Sequence, residues 1–445
     1  MGSAIRWDQN TAKARHRVSE AALPGISDIA VYLPRFSIDI ASIVAARVAE
    51  DAAGGEKYLR AQESTGQKSM RFPESWEDSA TMAAEAARAL FDANPGMAQS
   101  LRYLMVGTET GLDHSKPLSA WVQGMLDRIG HELAGNLLSA QTQHACAGGS
   151  VALFSVAAQL ALAGRAHENG LVICSDVARY PRGSTAELTQ GAGAVALLVQ
   201  PEARLVGLDL TTCGFASRDV DDFFRPLGSE AAYVKGAYSI RCYREAFEEA
   251  FLDHAARRSA SPKEVLEGTD IFVLHAPYYR LPVDSLRWLV SRQLACDSAK
   301  SVAFIQEKGY EDSVSAAAVA GNLYTGSLYL ALFRALKGAH TRFGKDIGGK
   351  RILLASYGSG NTMAVFSGVV AEGAYNVISR WKTRNHESSF ANASLEMYEE
   401  WMRRESPGIP LDKNAHPSDE RLPREGAFYL RNIREDGYRE YGIKS

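Results

Sequence analysis

Apolar residues along this chain fall into short unbroken runs set between polar loops and stretches with helical spacing, the pattern of strands buried on both faces alternating with helices. "ISDIAVYLPRF" reads as a strand ending at Pro34, and a polar stretch follows from Glu50 to Glu77. "EDSATMAAEAARALFDA" has a helical period and an acidic, hydroxyl-rich first turn suited to a helix N-terminus. "RYLMVGTETGLD" is an apolar run that stops at Gly107 and carries Thr108, Glu109 and Thr110 into a loop. "GLVICSDVARY" is again strand then loop, and "GAGAVALLV" predicts a fully buried strand.

The second half repeats this order. "REAFEEAFLDHAARR" is helical, "DIFVLHAPYYR" is a strand ending on His275, and "GNLYTGSLYLALFRAL" is a turn feeding an apolar helix that starts at Asn322. "RILLASYGSGN" and "MAVFSGVV" form a final strand pair. The expected fold class is therefore α/β with an internal duplication. Its expected divisions are a polar extension over 1–25, halves over 26–203 and 204–375, and a C-terminal extension over 376–445 that packs on the second half. Two copies facing each other across a pseudo-twofold axis would bring Glu109, Cys146, His275 and Asn322 to one site.

Composition narrows the function. The 445 residues, 46% hydrophobic and 23% charged, suit a globular protein with two core-sized units. A net charge of -3 with both signs interspersed offers no basic face for nucleic acid and no polybasic tail for a membrane. The five cysteines are scattered, odd in number and free of zinc-type spacing, which points to a reducing, cytoplasmic setting and to no metal site. No secretory h-region follows the start, and no uncharged run is expected to reach transmembrane length.

The stretch "QTQHACAGGSVALFSVAAQLALAG" puts Cys146 at the start of an apolar helix. The positive end of a helix dipole favours thiolate, so a lowered thiol pKa is expected, and such a thiolate attacks thioesters. Ala147, Gly148 and Gly149 would let an acyl group approach main-chain N–H donors. A buried structural cysteine in a Gly-kinked helix explains the same letters taken alone. His144, two residues earlier, reads as a packing or solvent-facing residue.

These residues carry a resemblance. "GTETGLD", "HACAGG", "SDVARY", "ELTQGAGAVALLV", "DDFFRP", "FVLHAPY", "GNLYTGSLYL" and "SYGSG", in this order, resemble the 3-hydroxy-3-methylglutaryl-CoA synthase branch of the thiolase superfamily from about Ile26 onward. The tail "GAFYLRNIREDGYREYG" is similar to that family's ending. The resemblance implies a duplicated thiolase-like fold in αβαβα layers and a homodimer. It implies that Cys146 accepts an acetyl group, that Glu109 deprotonates its methyl, and that His275 positions the acceptor and stabilises or protonates the alkoxide. Glu109 would need a raised pKa, which burial at a strand end supplies. Asn322, Ser359, Tyr180 and Thr189 match substrate-side positions, although a helix cap, a tight turn and a structural loop explain them equally well.

Departures from the family concern the carrier. Ala147 stands where tyrosine is common, Lys235 where aspartate is usual, and Phe224 where tryptophan is usual. In the run resembling a CoA phosphate grip Arg280 keeps one charge, but later lysines are replaced by Val283 and Asp284. The chemistry is thus expected to persist with acyl-CoA as partner, or with acyl carrier protein as in the polyketide β-branching relatives, and with no bound cofactor. A non-catalytic scaffold is disfavoured by three intact reactive groups, and a plain thiolase or ketoacyl synthase by Glu109.

Overall fold

Nine strands make one mixed sheet in this computed structural model, which describes residues 23–51, 53–133, 135–383, 390–404, 408 and 422–445. The extension expected at 1–25 lies, up to residue 22, outside the described residues. The strands are β1 (Gly25–Tyr32), β2 (Leu101–Gly107), β3 (Leu138–Thr142), β4 (Asn169–Ala178), β5 (Gly191–Gln200), β6 (Val206–Ser217), β7 (Ile271–Leu274), β8 (Arg351–Gly358) and β9 (Thr362–Val370). The helices that matter most are α1 (Glu56–Thr65), α2 (Ser79–Ala93), α3 (Gly148–Ala163), α4 (Gly236–Arg257), α5 (Arg280–Gln293), α6 (Ser327–Phe343) and α7 (Leu395–Arg403).

Strand order is β7-β8-β9-β6-β1-β5-β4-β2-β3. Read outward from the β1/β6 contact, each side runs first strand, last strand, second-last strand, second strand, so the duplication is written into the topology. The two sides join through only two residue pairs, Gly25 with Gly207 and Ile26 with Val206.

Strands appear as unbroken apolar runs because both of their faces are covered. Along β5, Val195, Leu197 and Val199 face one core while Ala192, Ala194, Ala196 and Leu198 face another. The first core also takes Leu153, Val156 and Leu160 from α3 and Leu328, Leu332 and Leu336 from α6, so these two helices form the central layer. α2 covers the outer face of the first half and α4 that of the second. The Asp78 carboxylate accepts the Ala80 and Thr81 N–H groups, and the Thr81 hydroxyl accepts the Asp78 N–H, a capping box that starts α2 where the polar pattern predicts.

Three expectations are corrected. The polar stretch from Glu50 to Glu77 contains α1 and a short strand, Ser69–Phe72. Only Tyr58 of α1 is buried, too few anchors to leave a period in the sequence. The segment Ala145–Ala163 does have the length and composition of a membrane span, but it is half buried and α3 packs on β2 and β4 as a core helix.

The C-terminal extension, thirdly, packs mostly on the first half and not the second. Trp381 does stack on Phe333 of the second half, 4.5 Å between ring centroids. Beyond it, the Phe428 N–H donates to Glu85 and the Tyr441 hydroxyl donates to the Asp78 carboxylate. Tyr398 and Trp401 of α7 pack against Phe72. The polar face of α7 locks onto the loop after β4: the Tyr398 hydroxyl donates to buried Glu187 at 2.9 Å and Arg182 pairs with Glu399 at 2.8 Å. Buried Arg47 bridges both carboxylates, 2.6 Å from Glu187 and 2.7 Å from Glu399. Buried ions satisfied on every side fix a geometry more than they add stability.

The start of α3 approaches β4 so closely that a Cβ on Gly149 would lie 2.3 Å from Cys174 Sγ. Gly149→Ala should therefore lower the unfolding free energy by about 1–3 kcal/mol in a denaturant titration. Gly149→Ala combined with Cys174→Ala should lose less than the sum of the two single changes.

Candidate active site

The loop after β2 is wound around one carboxylate from β4. Asp176, fully buried, takes on Oδ1 the Glu109 N–H at 2.8 Å, the Thr110 N–H at 2.9 Å and the hydroxyls of Thr108 and Thr110 at 2.9 and 2.8 Å. Oδ2 accepts the Thr325 N–H at 3.0 Å and the Thr325 hydroxyl, both from the second half. Asp222 does similar work at the far wall. It accepts the Tyr357 hydroxyl at 2.8 Å and the Gly360 N–H at 2.9 Å, which anchors the turn after β8.

Cys146 sits on a turn that enters α3 from Ala145, whose φ of 38° is the left-handed region that a residue with a Cβ rarely adopts. Its half-buried thiol packs among Ala178, Tyr180, Phe223, Ala232 and Tyr324. The expected lowering of its pKa is overturned. Burial pushes the thiol well up, and the carboxylates of Glu109, Asp176 and Asp222 push it further. The small residues after it also serve packing. The Ala147 N–H is already bonded to the His144 carbonyl at 2.9 Å, and Gly149 meets Cys174. Gly358, at the end of β8, has no room for a Cβ against Ala147 and His144, 2.7 Å from each, so His144 is a packing residue against this turn.

Glu109 is 6% exposed, and burial together with Asp176 raises its carboxyl to about 7 against the opposing pull of Arg225. Its guanidinium partner lies at 3.5 Å. His275 is the first residue past β7. Its N–H bonds to Ala355 O at 2.8 Å, its carbonyl accepts the Tyr243 hydroxyl, and its Nδ1 is buried without a partner. Burial lowers its pKa to about 3, so the imidazole is neutral at physiological pH. Asn322 begins a 3-10 turn, Tyr324–Gly326, and α6 itself starts at Ser327. The Asn322 Oδ1 accepts the Tyr324 N–H at 2.9 Å, while its Nδ2 faces the Tyr180 hydroxyl at 3.4 Å.

One cavity of about 640 Å³ between the two halves gathers most of the candidates: Cys146, His275, Asn322, Ser359, Tyr180 and Thr189 all line it. Glu109 does not line it but is close enough to the thiol to raise its pKa. Arg280 also lies outside, exposed at the start of α5 beside Gly66. Lys235 lines the mouth, paired with Asp221. Among the described residues no cluster of His, Cys, Asp and Glu is arranged to hold a metal ion. Asp176, Asp222 and Tyr324 were not singled out by the sequence analysis, although "SDVARY", "DDFFRP" and "GNLYTG" contain them.

Two copies of one α/β unit meeting over a cysteine-floored cavity make a thiolase-like enzyme architecture, and solved structures share it. MvaS in complex with 3-hydroxy-3-methylglutaryl coenzyme A superposes with a TM-score of 0.82 at 31% identity over 95% of this chain and 100% of that one. The curacin pathway HMG synthase in complex with holo donor-ACP shares the fold at 22% identity and a TM-score of 0.81, with 95% and 100% covered. The family models for the hydroxymethylglutaryl-coenzyme A synthase N terminal and C terminal match residues 22–204, and 208–308 with 288–444. The hydroxymethylglutaryl-CoA synthase of Enterococcus faecalis is 30% identical over 355 residues, 79% of this chain and 84% of its own. That of Haloferax volcanii is 28% identical over 373 residues, 76% and 81%. The chain belongs to the hydroxymethylglutaryl-CoA synthase family, whose enzymes transfer an acyl group and form a carbon–carbon bond.

A thiol held up by three carboxylates should alkylate slowly at neutral pH, faster as pH rises past 9. Glu109→Gln removes one of those charges and should speed alkylation of Cys146 by iodoacetamide at pH 8, read by peptide mass spectrometry; an unchanged rate would contradict the coupling.

Proposed function

We propose that this protein condenses an acetyl thioester with the ketone of a 3-oxoacyl thioester through an acetyl-Cys146 intermediate. The observation that carries the reading is a cysteine and a neutral histidine lining one cavity, with a carboxyl of pKa about 7 close enough to the thiol to act on its charge. The Cys146 sulfur attacks the donor carbonyl, and the pantetheine thiol departs with the cysteine's proton. Glu109 as carboxylate takes a proton from the acetyl methyl. The resulting enolate carbon bonds to the acceptor's ketone carbon, whose oxygen becomes an alkoxide and then a hydroxyl by taking up the proton that Glu109 removed, which returns Glu109 to the carboxylate. Neutral His275 donates a hydrogen bond to that oxygen rather than serving as a charged acid. Water cleaves the Cys146 thioester and releases a branched 3-hydroxy acid of the 3-hydroxy-3-methylglutaryl type.

In this reading Asn322, Tyr180, Thr189 and Ser359 shape the acyl end of the cavity, and Arg280 meets only parts of a donor that project beyond the mouth. The mouth itself favours a second donor, acyl carrier protein in place of CoA. Lys235 is already paired with Asp221, and Asp284 faces Arg287 at 3.7 Å where a CoA grip would carry lysines. The division at residue 204 into two halves is taken as the functional one. A homodimer, with the free outer edge of β3 as its meeting line, follows from kinship with the superfamily, and half-exposed Leu138 supports it. Five free cysteines support a reducing, cytoplasmic compartment. No bound cofactor has a step to perform.

Incubation with acetyl-CoA and, separately, with acetylated carrier protein tests the reading by intact mass. Wild type should gain an adduct of about 42 Da, Cys146→Ser should gain none, and the better donor identifies the carrier. Glu109→Gln should still acetylate yet lose about 10²-fold or more of the condensation rate. A folded wild type that takes no acetyl from either donor would sink the proposal.

A further inference from the structure

Arg225 reaches Glu109 from a loop of the second half, and neither composition nor periodicity marks it out. It follows the short strand Phe223–Phe224 of the second half, and its side chain is 19% exposed. Three edges of its guanidinium are used. Nη2 donates to the Glu109 carbonyl, Nε lies 3.5 Å from the Glu109 carboxylate, and Nη1 donates to Ser229 O at 3.3 Å within its own loop. Arg225 thus ties the main chain and the side chain of one glutamate to a loop of the opposite half. A planar fork can grip two acceptors of one residue in this way, and a lysine cannot.

The charged neighbourhood is mixed. Facing Glu109 are Asp176 from β4 and the Cys146 thiol, with the hydroxyls of Tyr180 and Tyr324 nearby and the Gln143 amide bonding its carboxylate. Behind Arg225 is a small cavity of about 30 Å³ bordered by Glu74, Arg179, Glu230 and Arg404. Arg225 is the cation that faces the Glu109 carboxylate directly, opposing Asp176 and burial.

We propose that Arg225 is a positioning residue for carbon–carbon bond formation: it holds Glu109 in place and ionised for deprotonation of the acetyl group, while acyl transfer to Cys146 proceeds without it. This rests on the reading of Glu109 as the base. With Arg225 neutralised, the carboxyl loses the one direct counter-charge it has among the described residues and ionises at higher pH, so at fixed pH a smaller fraction is competent to take a proton.

The acetyl-enzyme itself supplies the readout. In D₂O each reversible proton removal by Glu109 lets solvent deuterium into the methyl group, and the Cys146 adduct gains mass. Wild type should exchange, with a rate that rises as Glu109 ionises. Arg225→Gln should still form the acetyl adduct but exchange at least about 10-fold more slowly at pH 7, with the midpoint of the rise moved up by about one pH unit. Arg225→Lys should keep its midpoint near that of wild type while recovering only part of the rate, because it supplies the charge without the fork. Normal exchange with an unmoved midpoint in Arg225→Gln would overturn the proposal, as would equal losses of acetylation and exchange in that variant when its circular dichroism is native. Should Arg225→Gln fail to fold, Arg225→Lys decides: slower exchange at full acetylation upholds the role, and unchanged exchange refutes it. An acetylated wild type that does not exchange at any pH would instead remove Glu109 as the base, and this inference with it.

Discussion

One carboxylate holds the two halves in working register. Asp176 is buried with no cation among the described residues touching it, and its carboxylate is met by donors from the loop after β2 and from Thr325 in the opposite half. Left unsatisfied, a buried carboxylate is costly, so these donors cannot drift apart without a large loss. Because Glu109 donates its own N–H to Asp176, the position of its side chain is tied to the seam between the halves. The β1/β6 contact joins the sheets through two residue pairs only, and the polar seam around Asp176 adds a link at the cavity itself.

The same carboxylate sets the electrostatics. It raises both Cys146 and Glu109, and with Asp222 it gives the cavity floor a negative field. The site therefore holds a protonated thiol, a carboxyl poised between its two states and an uncharged imidazole. Charge has to be created during the reaction rather than stored beforehand. That suits an intermediate which is itself an anion, since an enolate forms where no permanent thiolate competes for hydrogen-bond donors.

Much of this was legible from the residues alone. Runs such as "GAGAVALLV" and "DIFVLH" predict strands because both faces are covered, and their polar ends lead to Glu109 and His275. Cys146 stands out because an apolar helix follows it. What could not be read is whatever depends on distant charge. The thiol's upward shift comes first from burial and then from residues 109, 176 and 222, which no local window unites, while the helix terminus that argues the other way is adjacent in sequence. Asp176 is one acid after a buried strand, indistinguishable there from a loop residue. α1 escaped because one buried tyrosine leaves no period, and the C-terminal segment was assigned to the wrong half because sequence order says nothing about which face is open.

That last segment has a consequence for how the site comes into being. The loop over residues 180–190 contributes a wall of the cavity, yet Glu187 within it depends on Arg47, far earlier in the chain, and on Tyr398, far later. During synthesis Glu109, Cys146 and His275 all leave the ribosome before α7 does. Until α7 docks, buried Glu187 keeps Arg47 but lacks the Tyr398 hydroxyl, and one wall of the cavity is without that support. The wall around Cys146 is thus completed late, after the cysteine itself has left the ribosome.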